Sequence, residues 1–164
     1  MTLPFGILWS TVEAEDFTLV GFDGQILRPS ARINQLTGQP HAPDMTTVAL
    51  HSPMHKNIGN KRAKAVFHTH QHYATTLACS PTQYRLEMIH QNSARFYNSI
   101  IYDREFDGLA DSMEAGTRIA NVFLKPSNNK KRVLTQRHHG VFVAGASAAL
   151  ALYDVYWFEK ACKI

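Results

Sequence analysis

Residues 132–144 constrain the fold more than any other stretch. Arg132-Val-Leu-Thr-Gln136 and Val141-Phe-Val-Ala144 are two apolar, β-branched segments separated by a turn at His138-His139-Gly140. Such a pair reads as an antiparallel β-hairpin inside a core. Asp16 to Leu27 repeats the pattern, with Asp23-Gly24 as a tight-turn pair. Ala65-Val-Phe-His-Thr-His70 reads as a buried strand, and Ser99-Ile-Ile-Tyr102 as another. Helical spacing intervenes. Leu50, Met54 and Ile58 recur at every fourth position of a helix over 46–58, despite Pro53 inside it. A short helix is expected over Ala74–Cys79 and another ending near Phe96. Asp111 and Glu114 have the spacing of a capping box, opening a stripe of Met113, Gly116, Ile119, Ala120 and Phe123 that ends at Pro126. A last helix is expected from Ser147 to Lys163, with Leu150, Asp154, Trp157 and Ala161 on one face. Residues 29–45, with Pro29, Gly38, Pro40 and Pro43, read as loop. Two antiparallel hairpins among helices point to an α/β fold with a mixed, largely antiparallel central sheet covered by helices.

Composition narrows the function classes. The 164 residues suit one domain and are long enough for a core without disulfides. Cys79 and Cys162 stand far apart and outside any CxxC pattern, which excludes a cysteine zinc knot and fits a reducing cytoplasm. No basic, apolar leader opens the sequence, and no apolar run reaches the ~18 residues of a membrane span. The net charge of +4 gathers partly around Lys56–Lys64 and Lys130–Arg132. Neither run carries an aromatic-rich basic motif, so both read as solvated surface and no nucleic-acid partner is expected.

Nine histidines are many for this length, and their spacing is more telling than their number. In a strand, His68 and His70 point to the same face. Two imidazoles so placed can grip one ion, and zinc takes three or four such ligands at ~2.0–2.1 Å. An HxH pair equally suits two hydrogen-bonded core histidines. His139, in a tight turn before Gly140, is a good candidate for a third ligand. His51 and His55 share a helical face.

Several segments carry a family resemblance. Residues 65–78, Ala-Val-Phe-His-Thr-His-Gln-His-Tyr-Ala-Thr-Thr-Leu-Ala, resemble the "AVVHTHS..AT..A" segment of class II aldolases, sugar-phosphate epimerases and adducin head domains. Residues 134–145 resemble that family's "LL.NHG....G" segment, and Pro4–Leu8 through Leu19–Gly24 its "NPFG…LV.VD.DG" segment. His51-Ser-Pro-Met-His55 is similar to "HSAIH" of the adducin-like branch, and Tyr156–Cys162 to the "LERAC" helix. The segments keep the family's order over nearly the whole chain.

The resemblance implies a class II aldolase-like domain over residues 1–164, lacking the N-terminal part of the usual domain. It implies a divalent metal, zinc by ligand type, held by His68, His70 and His139, with His138 beside the site in place of a usual asparagine. It further implies a metal-dependent lyase acting on a small hydroxy-carbonyl or sugar-phosphate-like substrate, assembled as a homo-oligomer, a tetramer in typical members. Aldolases and epimerases carry a carboxylate four residues before the position of His51. Here that residue is Thr47, which cannot take a proton at neutral pH. The base is therefore unassigned, with Tyr73, His72 and His51 as candidates by proximity to the motif. The adducin-like branch lacks the carboxylate too, so a non-catalytic oligomeric scaffold is the alternative. A longer functional form of the chain is a third.

Overall fold

The computed structural model describes residues 1–59, 61–81, 85–106, 108–109 and 111–163. The named elements run β1 (Leu19–Val20), β2 (Ile26–Arg28), α1 (Met45–Ile58), β3 (Ala65–Thr69), α2 (His72–Cys79), α3 (Gln91–Ala94), β4 (Ile100–Asp103), α4 (Met113–Leu124), β5 (Val133–Gln136), β6 (Val141–Gly145) and α5 (Ala148–Ala161). Four strands form the main sheet in the order β3-β6-β5-β4. The β3–β6 and β5–β6 pairs are antiparallel, and β4–β5 is parallel. This is the mixed, largely antiparallel sheet that the patterning requires.

The strands alternate their side chains between two apolar layers. Leu134 and Phe142 join Leu50, Met54 and Ile58 of α1 and Ile119 and Phe123 of α4 on one face. Val133, Val141 and Val143 join Ala74 of α2, Phe96, and Val155 and Phe158 of α5 on the other. Both faces are covered, which explains strands that are apolar almost throughout.

Pro53 sits inside α1 without ending it. Its ring nitrogen cannot donate to the carbonyl of Ala49, one turn back. That carbonyl is where α4 crosses. A Cβ on Gly116 would lie 2.2 Å from the Ala49 oxygen, so only glycine permits this approach.

Several expected boundaries shift. The cap of α4 is Ser112, whose Oγ accepts from the Ala115 N–H at 3.2 Å. Asp111 is displaced by one residue and Glu114 falls at the second helical position, so the capping box expected there does not form. The inward stripe begins at Ala115, and Met113 is exposed. On α5 the buried stripe is Ala151, Asp154, Val155, Phe158 and Ala161, while Leu150 is 57 % exposed. The close approach of Ala151 to Gly145 sets this rotation, since a Cβ there would lie 2.9 Å from the Ala151 nitrogen. Asp154 is buried because Arg132 pairs with it, Nε to Oδ2 at 2.5 Å, and also donates to Ser99 Oγ at 2.6 Å. The helix expected to end near Phe96 shortens to Gln91–Ala94. The first hairpin pairs only Leu19–Val20 with Ile26–Arg28, because Asp16 lies in a 3₁₀ turn and binds Arg32 at 2.7 Å. Strand β3 is half-buried rather than buried, and it stops one residue before His70.

The α1–α4 crossing yields a stability prediction. Gly116→Ala should cost about 1–3 kcal/mol by overpacking, despite alanine's better helix propensity. Chemical denaturation would read this as a lower midpoint, and an unchanged or raised midpoint would refute the crossing geometry.

Candidate metal centre

The end of β3 and the β5–β6 turn meet because β6 lies between their strands, with Thr69 opposite Val141 and Thr135 opposite Val141. The turn is tight. Gln136 N–H donates to the Gly140 carbonyl at 2.9 Å, and His139 N–H to the Gln136 carbonyl at 3.2 Å. His138 takes the left-handed conformation, φ +58°. Asparagine and histidine are among the residues that tolerate it best, which gives histidine a physical reason to stand where the resemblance implies asparagine. Gly140 has no such φ, but a Cβ on it would lie 2.4 Å from His70 Cδ2 and 2.7 Å from the Thr69 carbonyl oxygen. The turn therefore closes directly onto His70.

Three imidazoles converge there. One nitrogen each of His68, His70 and His139 lies within 4.8 Å of the others. His68 Nε2 and His70 Nε2 are 3.1 Å apart. The His139 ring centroid is 4.9 Å from each of the other two. His68 stacks on Phe142 at 4.1 Å, and its Nδ1 donates to the Val141 carbonyl at 3.2 Å. That bond fixes the tautomer and leaves the Nε2 lone pair facing the cluster. Burial, then the neighbouring His139 and His70, push the His68 imidazole down to about 3, so it is neutral at physiological pH. A tetrahedral zinc site with ~2.0–2.1 Å bonds places its nitrogens roughly 3.4 Å apart. The His68 and His70 nitrogens at nearly that separation, with a His139 nitrogen within 4.8 Å and the turn closed in by a glycine, fit such an ion.

Helix α1 supplies the wall beside His68. His51 and His55 stack at 6.2 Å between ring centroids, and His55 Nδ1 donates to the Ala63 carbonyl at 2.7 Å. His51 is half-buried, and its proximity is the last of the causes that lower the His68 pKa. Burial, then His55, push it down to about 4. Thr47, one turn earlier, is half-buried. Among the described residues no carboxylate joins the histidine cluster.

The other sequence candidates face elsewhere. His72 is exposed and packs edge-on against Tyr73 at 5.0 Å. The Tyr73 ring lies under Lys163, whose Nζ is 5.8 Å from its centroid. His138 accepts from Arg137 Nε at 3.1 Å and meets Phe106, away from the three converging rings. Sequence reasoning did not single out Val141 and Phe142 as supports of His68. The alternation opposite His68 in the returning strand was the available signal.

Comparisons with known proteins agree with this architecture. The family model "Class II Aldolase and Adducin N-terminal domain" matches residues 1–164. The "Putative aldolase class 2 protein" of Caulobacter vibrioides is 23 % identical over 159 residues, covering 97 % of this chain and 54 % of its own length. The structure of an aldolase II superfamily protein from Pseudomonas syringae superposes with TM-score 0.78 at 24 % identity, over 98 % of this chain and 57 % of that one. The L-fuculose 1-phosphate aldolase from Glaciozyma antarctica PI12 does so with TM-score 0.72 at 19 % identity, over 98 % and 55 %. The chain thus spans little more than half the length of these relatives. With a family model matched from end to end and the same fold in solved members, the chain belongs to the class II aldolase/adducin family.

Proposed function

We propose that the chain carries a metal-dependent aldolase-type lyase site for a small hydroxy-carbonyl or sugar-phosphate-like substrate. The convergence of His68, His70 and His139 within 4.8 Å carries this reading. These three hold a divalent ion, zinc by ligand type. Such an ion, when bound, stabilises negative charge developing on a substrate oxygen. The chain's own part is to present three convergent imidazoles and to leave one side of the cluster to α1. In this reading His51 is the base candidate, since it lies on α1 with an electrostatic influence on His68 while His72 and Tyr73 pack elsewhere. Thr47 supplies no proton acceptor. That gap is the one observation on the side of an adducin-like scaffold, which has no need of three convergent imidazoles. The aldolase names of the aligned relatives support the lyase reading. No helix among the described residues is long and apolar enough to cross a membrane, and a cytoplasmic site of action is part of this reading.

Metal analysis and an aldol-cleavage assay on the same proteins test it. Native protein prepared without chelator should hold roughly one divalent ion per chain, and His68→Ala should lose it. Native cleavage of short hydroxy-aldehyde and ketose phosphates should be weak for want of the carboxylate, a group worth ~10²–10⁴-fold. Thr47→Glu should keep or tighten the metal and raise cleavage. Metal-free native protein would sink the metal reading. Robust native cleavage would show that another residue serves as base, and no cleavage by either metal-loaded protein would favour the scaffold.

The buried histidines set an acid limit on the metal-free protein. His51 and His68 titrate near 6.5 when unfolded, but burial keeps them neutral down to about 4 and about 3 in the fold. Below pH 6.5 the unfolded chain binds protons that the folded chain refuses. Stability is therefore full above that pH and falls as pH drops toward 4, by up to about 1.4 kcal/mol per pH unit for each histidine. Urea midpoints at pH 7 and pH 5, with chelator present, should differ accordingly. His51→Asn should reduce the difference, and identical midpoints for native protein at the two pH values would contradict the burial argument.

We also propose a homo-oligomer. Phe5, Leu8 and Trp9 are each at least 70 % exposed, an apolar cluster in sequence that a second copy can cover. Light scattering at micromolar concentration should give a mass above one chain, and a clean monomer would reject the assembly.

A further inference from the structure

His70 lies beyond the last ladder pair of β3, so the sheet holds only its N-terminal side. Helix α2 comes next in the chain, with Gln71 as its N-cap. That side chain makes no capping hydrogen bond. Glutamine is a poor cap, and the first-turn N–H groups need acceptors from somewhere. They find them 85 residues or more away in sequence. Glu159 of α5 accepts from Tyr73 N–H through Oε1 at 3.0 Å and from Ala74 N–H through Oε2 at 2.9 Å. These are the second and third helical residues, the two N–H groups that a local N-cap would have served. The carboxylate also sits where the helix dipole favours negative charge. Cys162, three residues on, is pushed up to about 12 by burial and by Glu159, so the thiol is a neutral neighbour. Ala74 is fully buried in the α5-side core, which leaves little room for the turn to move.

We infer that Glu159 is a positioning residue for His70: by capping α2 from α5, it fixes the chain on the C-terminal side of His70 and so completes the histidine cluster. The inference rests on the metal-site reading and adds to it a residue that touches neither ion nor substrate. His70 is held differently from its two neighbours. Gly140 presses on the His70 ring from one side. The β3 ladder ends one residue before it. Release of the α2 first turn would leave His70 tethered at one end only, while His68 and His139, held by the β3–β6 ladder and the β5–β6 turn, would stay in place.

The test uses three proteins: native, Glu159→Gln, and Glu159→Gln combined with Gln71→Asp. The glutamine is isosteric but offers one acceptor where two are needed, and turns an amide N–H toward the second donor. Two readouts are taken on each. The first is the imidazole NMR spectrum of metal-free protein, in which the His70 and His68 signals report their 3.1 Å contact. The second is titration with Co²⁺ followed by its visible absorption. In Glu159→Gln the His70 signals should shift and Co²⁺ affinity should fall ~10–100-fold, as for other supports of metal ligands. The double variant should recover affinity, because the carboxylate introduced by Gln71→Asp would cap the same two N–H groups locally. A purely structural role of Glu159 in docking α5 would not be rescued at that position. Unchanged imidazole signals and Co²⁺ affinity in Glu159→Gln would overturn the inference, as would failure of the double variant to regain affinity. If native protein takes no Co²⁺ while its imidazole signals still respond to Glu159→Gln and recover in the double variant, the metal reading fails and the positioning role stands.

Discussion

Gly140 and His70 come so close that no side chain fits between them, and the site depends on that contact. The β5–β6 turn can fold down onto the end of β3 only because glycine follows His139. With the turn closed, His139 joins His68 and His70, and the Val141 carbonyl comes within reach of His68 Nδ1. A methyl group at 140 would push the turn away from His70 and separate the ligand pair from the third imidazole. The backbone and the chemistry are thus set by one residue with no side chain of its own.

A second glycine does comparable work between α1 and α4. Pro53 leaves the Ala49 carbonyl without a helical donor, and Gly116 lets α4 lie directly on it. Helix α1 is thereby fixed against the sheet, and with it the register of Thr47, His51 and His55 relative to His68. On the opposite face, Arg132 ties α5 to the sheet through Asp154 and Ser99. Each layer is locked by a polar or steric device at one point, with apolar packing doing the rest.

The periodic parts of the fold are legible in the sequence. The β5–β6 hairpin, α1 with its Leu50–Met54–Ile58 stripe, and the position of His68 in an apolar strand all follow from local spacing, and the structure contains them. The misplaced features each turn on a choice between near-equal local options. Ser112 and Asp111 are both good caps, and the packing of Ala115 and Gly116 decides between them. The α5 stripe is displaced because Leu150 looks like core, whereas Gly145 admits Ala151 instead. His70 is expected inside the strand, yet its place in the cluster survives because the turn reaches it. Glu159 cannot be read at all as a partner of α2, since its role exists only once α5 docks. The hint is negative, a helix start at Gln71 without a capping side chain.

The histidine cluster draws its members from positions 68, 70 and 139, so an ion seated there would join two parts of the chain separated by about seventy residues. Topologically such an ion is a removable cross-link. It would close a long loop as a disulfide does, but in a chain with only free cysteines and by a bond that acid or a chelator can undo. Occupancy of the site and persistence of the fold would then be one equilibrium, with the ion's free concentration setting how long the β3–β6–β5 core stays shut.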